Sequence, residues 1–206
     1  MKKEYVFGVL LFGGLWGISE AILGGVLYHF AIPRASVYLT ITGFSILTVA
    51  RVYLPGRGTA STIAALAMLY KFLNSPFFAC HLLGIFLLGV CYDLFFNVFK
   101  LKNRSIGAVL ATYSGYSLFA LMITYVFRYH HWVEAGLAKV MDHIVIGGTL
   151  AALGCAVFVP LSFRLGQRLK AKFDTPFRLR LQLASGGVSV VTAGLWVFSI
   201  AVYLFS

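Results

Sequence analysis

The sequence predicts an all-α, polytopic membrane helix bundle, and three observations predict it. Of the 206 residues, 60% are hydrophobic and only 11% are charged. Several apolar runs approach or exceed the ~20 residues that a helix needs to cross a bilayer. Seventeen Lys and Arg stand against six Asp and Glu, a net charge of +11, and the basic residues collect between the apolar runs. In a soluble protein that balance would suggest nucleic acid. Here it follows the tendency of cytoplasmic loops to keep Lys and Arg, so membrane lipids are expected as partners and nucleic acid is not.

The chain reads as a single integral membrane domain over residues 1–206, a six-helix core plus a seventh C-terminal span, with spans at roughly 5–30, 37–54, 59–73, 77–99, 106–127, 141–163 and 184–205. The first begins after Met-Lys-Lys, like a signal peptide, but its apolar run continues to about Phe30 without a small-residue cleavage site, so it is retained. It carries Glu20 within the run and small residues at four-residue spacing, Gly13, Gly17, Ala21 and Gly25. Such a row lets another helix backbone approach closely, while a carboxylate in hydrocarbon is paired or faces a cavity. Gly13, Gly17, Glu20 and Gly24 share one broad helical face. Ile32-Pro33-Arg34 breaks the chain before the second span, and Pro55-Gly56-Arg57-Gly58 breaks it after. The third span is short and ends at Lys71, whose stem can snorkel, before Asn74-Ser75-Pro76. The fourth contains Asp93, for which Arg51 at the end of the second span is the expected partner. The sixth should bend at Pro160. Between it and the seventh, Arg164 to Arg180 is basic with Leu165, Leu169 and Phe173 at helical spacing, a helix extension suited to an anionic lipid surface or to a docking partner. Cys80, Cys91 and Cys155 have no metal-type spacing and read as small packing residues.

Lys and Arg set the orientation in the cytoplasmic membrane. With the N-terminus inside, 13 of the 17, among them Arg51, Arg57, Lys100, Arg104 and Lys170, fall on the cytoplasmic side, and Arg34, Lys71, Arg128 and Lys139 fall outside. Seven spans then leave the C-terminus outside.

In that orientation all five histidines share the outer level with Arg34, Lys71, Arg128, Glu134 and Asp142, and with Tyr28, Tyr38, Tyr70, Tyr125, Tyr129 and Trp132. Aromatic residues mark membrane interfaces in ordinary proteins, which accounts for each of these singly. As a set, with Glu20 directed up from below, they outline an outward-facing pocket for a small-molecule ligand, with aromatic faces for a planar ring and charges to orient it. The ligand-binding candidates are Glu20, His29, Arg34, Lys71, Asn74, His81, Arg128, His130, His131, Asp142 and His143. Glu20 could equally be a structural partner of Lys71.

No organic cofactor is expected. A bound divalent metal is the alternative occupant, since Asp142, His143, His81, His130 and His131 are suitable ligand types. No HExxH-type spacing sets two of them on one helical face. A membrane enzyme using these outer His and Asp residues is a further alternative, without a GxSxG or Walker-type motif to carry it. So is a non-catalytic helper subunit whose small-residue helices only bind partners.

The stretches GGLWGISEAILGG, HFAIPR and KFLNSPFFACHLLGIFLLGVCYDL, set in six compact spans over about the first 165 residues, resemble the substrate-binding S component of an energy-coupling-factor vitamin transporter. The resemblance implies a subunit that takes up a small water-soluble vitamin, cofactor precursor or metal ion from outside. It also implies a separate membrane coupling protein with paired ATPases. In that family an alanine-xxx-alanine row on the first helix contacts the coupling protein. Gly13, Gly17, Ala21 and Gly25 resemble that row with glycines substituted, which makes them the partner-binding candidates. The seventh span departs from the family pattern.

Overall fold

The computed structural model describes residues 3–70 and 79–183, together with 193, 194 and 197. Every element among them is helical: α1 (Lys3–His29), α2 (Ala35–Tyr53), α3 (Thr59–Leu69), α4 (Ala79–Asp93), α5 (Arg104–Leu121), α6 (His130–Met141) and α7 (Gly148–Leu183). Three π-helical turns continue these helices, Leu94–Val98 after α4, Met122–Val126 after α5 and Asp142–Gly147 between α6 and α7. Among the described residues, five helical stretches are long and apolar enough to cross a membrane: Tyr5–His29, Ala35–Tyr53, Cys80–Val98, Arg104–Val126 and His130–Lys172. α3 is apolar but has only 11 residues, a rise of about 17 Å against a hydrocarbon core of about 30 Å. The expected seventh span at 184–205 lies almost wholly outside the described residues.

The helices close into a ring. α1 lies between α2 and α3, α3 leads to α4, α4 to α5, α5 to α7, and α7 returns to α2. α2 and α4 meet across the middle, where the rings of Phe44 and Tyr92 pack edge to face at 5.3 Å and Tyr92 lies 4.5 Å from Phe96. The buried Tyr92 hydroxyl donates to Thr48 Oγ1 at 3.0 Å, and Thr48 in turn donates to the Phe44 carbonyl. Cys91 and Cys155 are buried free thiols within this core and Cys80 is a half-buried free thiol, the packing role expected of them.

The sixth span differs from its expected bounds. A loop was expected before residue 141, yet helix begins at His130 and runs, through the π turn, to Leu183. The backbone departs from helix at Gly136 (φ 61°, ψ −157°), a conformation open to glycine because it lacks Cβ. Pro160 does not end the helix. Proline removes the N–H that would bond the carbonyl four residues earlier, and here the Ser105 hydroxyl donates to that carbonyl, Ala156 O, at 2.8 Å. The helix extension expected over Arg164 to Arg180 falls within α7.

The small-residue row on α1 is divided between packing within the chain and open surface. Gly13 and Gly17 are buried against α3 of the same chain, where a Cβ would stand 2.6 Å from Leu66 Cδ2 and 2.5 Å from Tyr70 Cγ respectively. Ala21 is half-buried, and a Cβ on the exposed Gly25 would meet nothing within 4 Å.

Candidate functional site

At the end expected to face outward, the loop between α1 and α2 is tied to the last helix by a two-point ion pair. Arg34 Nη1 and Nη2 donate to Asp142 Oδ2 and Oδ1 at 3.1 and 3.0 Å, across 108 residues of sequence. Arg34 reaches it from a left-handed backbone (φ 57°) as the N-cap of α2. The hydrogen bond to Asp142 raises the guanidinium's pKa, while loss of hydration acts the other way. The planar fork matched to a carboxylate fixes orientation better than a lysine would.

Asp142 opens the π turn, and the next residue, His143, enters an aromatic cluster. Its imidazole stacks on Tyr116 at 4.7 Å, with Phe119 at 5.3 Å and Trp132 edge-on at 5.2 Å. The Tyr116 hydroxyl lies 3.3 Å from Thr40 Oγ1. Glu20 itself is buried, and its Oε1 accepts from the indole N–H of the fully buried Trp16 one turn earlier, at 3.2 Å. Trp16 fits there because Gly43 of α2 has no side chain: a Cβ would stand 2.6 Å from Trp16 Nε1. Trp16, Tyr116, Phe119 and Thr40 were not among the sequence candidates. For Trp16 the signal was present, since a buried indole needs an acceptor and Glu20 follows at i+4.

The other candidates are spread more widely. His130 is exposed and pairs with Glu134 on its own helix at 3.1 Å, while His131, also exposed, lies 2.6 Å from Lys139 Nζ. His29 is exposed at the end of α1, edge-on to Phe30 at 5.2 Å. Arg128 is exposed in a left-handed turn (φ 47°), and His81 is exposed in the first turn of α4. Lys71 and Asn74 lie outside the described residues. No group of three or more His, Cys, Asp or Glu stands close enough to hold a metal ion among the described residues.

The opposite, basic end corrects the expected Asp93–Arg51 pair. Asp93, only 5% exposed, turns to α3. That helix starts from Gly58 (φ 79°), which has no side chain to cap it. Asp93 Oδ2 accepts instead from the Ser61 N–H and hydroxyl, each at 2.7 Å, a carboxylate set at the positive end of a helix dipole. Its Oδ1 accepts from Asn97 Nδ2 at 2.5 Å, and Asn97 Oδ1 accepts from Arg51 Nε at 2.8 Å. Asn97 therefore stands between the two charges, and Arg51 Nη2 donates to the Phe96 carbonyl at 2.7 Å. An open cavity of ≈ 800 Å³ lies beside this network.

Compared with protein-family models, with curated proteins and with solved structures, the chain finds no match.

Proposed function

We propose that this chain is a membrane-embedded substrate-binding subunit that takes a small water-soluble ligand from the outer side and works with a separate ATP-driven coupling module. The observation that carries the reading is the side-chain assembly at the histidine end: the Arg34–Asp142 fork, and His143 set among Tyr116, Phe119 and Trp132. Aromatic faces with a few fixed polar groups are the usual lining of a site for a small organic molecule. The fork joins two segments far apart in sequence, so a ligand carrying a carboxylate or a cation would compete for one half of it and loosen the loop. Ala21 and the exposed Gly25 on α1, flanked by the exposed Ile22 and Val26, remain open to a coupling helix.

The test is ligand identification followed by substitution. Small molecules that co-purify with the protein are identified by mass spectrometry, and their affinity is measured for Glu20→Gln, Arg34→Gln, His81→Ala and Asp142→Asn. Losing a polar contact to a buried ligand weakens binding about tenfold or more, and that loss is expected for Arg34→Gln and Asp142→Asn. Unchanged affinity in all four variants would overturn the reading. Ligand loss on chelation, with only the His and Asp changes mattering, would replace the organic ligand by a metal ion.

A further inference from the structure

We infer that the basic end of the bundle holds a binding site for a phosphate-bearing anion, separate from the histidine end. Five cations from five segments line the open cavity of ≈ 800 Å³: Arg51 of α2, Arg57 of the next loop, Lys100 after the π turn of α4, Arg104 at the start of α5 and Lys170 of α7. No carboxylate among the described residues lines it. A tendency of Lys and Arg to stay on one side of a membrane puts charge at this level. It does not make the charges share one concavity, where they repel each other.

Three of the five are held in place by neutral groups. Arg51 is fixed by the Asn97 amide oxygen and the Phe96 carbonyl, and its guanidinium carbon lies 5.4 Å from the Phe96 ring centroid. Arg104 lies over the Phe163 ring at 3.5 Å, a cation–π contact. Lys170 donates to the Val52 carbonyl at 3.1 Å. Gly166, one turn earlier, is buried against α2, where a Cβ would stand 3.1 Å from Val52 Cγ2. Neutral partners orient these cations without cancelling their charge. Asp93, the nearby acid of α4, is engaged by Ser61 and Asn97.

Arginine forks and ammonium groups converging on one space are the chemistry of phosphate recognition. The volume matches sites for small organic ligands, about 300–1,000 Å³, so it accommodates a phosphate with an attached group. Two sources share that chemistry, the headgroup of an anionic phospholipid and a soluble phosphate compound.

The experiment uses the full chain purified in a neutral detergent. Native mass spectrometry measures retention of cardiolipin and phosphatidylglycerol against phosphatidylcholine, and thermal melting measures stabilisation by inorganic pyrophosphate. The cavity variant is Arg57→Gln with Lys100→Gln, two exposed positions whose loss leaves the helix contacts intact. The control is Lys102→Gln, an exposed cation of the same loop as Lys100 that does not line the cavity. The cavity variant should lose about tenfold in affinity and the control less than twofold. Selective retention of the anionic lipids assigns the site to a headgroup, and stabilisation by pyrophosphate without lipid selectivity assigns it to a soluble compound. Equal losses in both variants, or no binding of either probe, would overturn the inference.

Discussion

Gly17 separates an internal packing face from a partner face. A methyl group placed there meets the ring of Tyr70, with Cγ at 2.5 Å and Cβ at 2.9 Å, and Tyr70 is fully buried, so the ring has little room to yield. Overpacking of this kind costs about 1–3 kcal/mol. Replacing glycine by alanine within a helix returns about 1 kcal/mol. Gly17→Ala should therefore destabilise the bundle by roughly 0–2 kcal/mol, a fall of up to about 8 °C in melting temperature at a rate of about 2–4 °C per kcal/mol. Gly25→Ala supplies the internal reference: nothing lies within 4 Å of its Cβ, so only the helix gain of about 1 kcal/mol remains and the melting temperature should rise slightly. The assay is thermal unfolding of both purified variants in one detergent, where the detergent's own effect cancels. Shifts of the same sign and size in both would refute the α1–α3 contact. Gly25→Leu extends the test to the partner: a normal melt with loss of the co-purifying coupling subunit is expected, and retained co-purification counts against a partner surface at Ala21 and Gly25.

Asp93→Ala removes the carboxylate that accepts from Ser61 twice and from Asn97 once. It should destabilise the bundle by about 3 kcal/mol, read by the same melt, and a loss below about 1 kcal/mol would count against the cap on α3. A double-mutant cycle should couple Arg51 to Asn97 more strongly than to Asp93, because only the first pair is in direct contact. Ser105→Ala should cost about 1 kcal/mol by stranding the Ala156 carbonyl. In a Pro160→Ala background the helix supplies its own N–H, so the cost of Ser105→Ala should vanish, and an unchanged cost would refute the assigned role of the serine. Reporters fused after Ser206 and inserted at 102 should be active on opposite sides of the membrane, with 102 cytoplasmic; activity of both on the same side would remove the seven-span topology.

The apolar runs and their Pro and Gly breaks made the helical membrane character legible, together with the starts of α2 and α3. The ring order was not. In a soluble helix the apolar stripe tells which face turns inward, whereas a helix that meets lipid outside and protein inside is apolar all round. A small-residue row announces a close approach without naming the approaching group, and at Gly13 and Gly17 it is the side chains of Leu66 on α3 and of Tyr70 just after it. Opposite charges at one depth suggested Arg51 with Asp93. The neutral Asn97, four residues beyond Asp93 on the same helical face, was the overlooked signal that a third group could bridge them. Depth alone also grouped the histidines. His143 and the Arg34–Asp142 fork do lie together, but His130 and His131 find partners on α6, at spacings of four and eight residues, and stay exposed. The basic cavity escaped because every charge in it already had a sufficient explanation from topology.

A π turn is an α-helix that has taken in one residue more than its register allows. Each of the three among the described residues, at Leu94–Val98, Met122–Val126 and Asp142–Gly147, thus behaves as a local frameshift of side-chain direction. Deleting one residue there would restore ordinary helix while leaving the turns on either side facing as before, so the side chains that move are those inside the π turn. At 94–98 the groups thrown out of register are Asn97 and the Phe96 carbonyl that hold Arg51. At 142–147 they are the Asp142 carboxylate and the His143 ring. Single-residue deletions should for that reason be tolerated by the backbone yet fatal to both ends of the bundle, and a sequence of similar architecture would align to this one only with a one-residue gap at each of these turns.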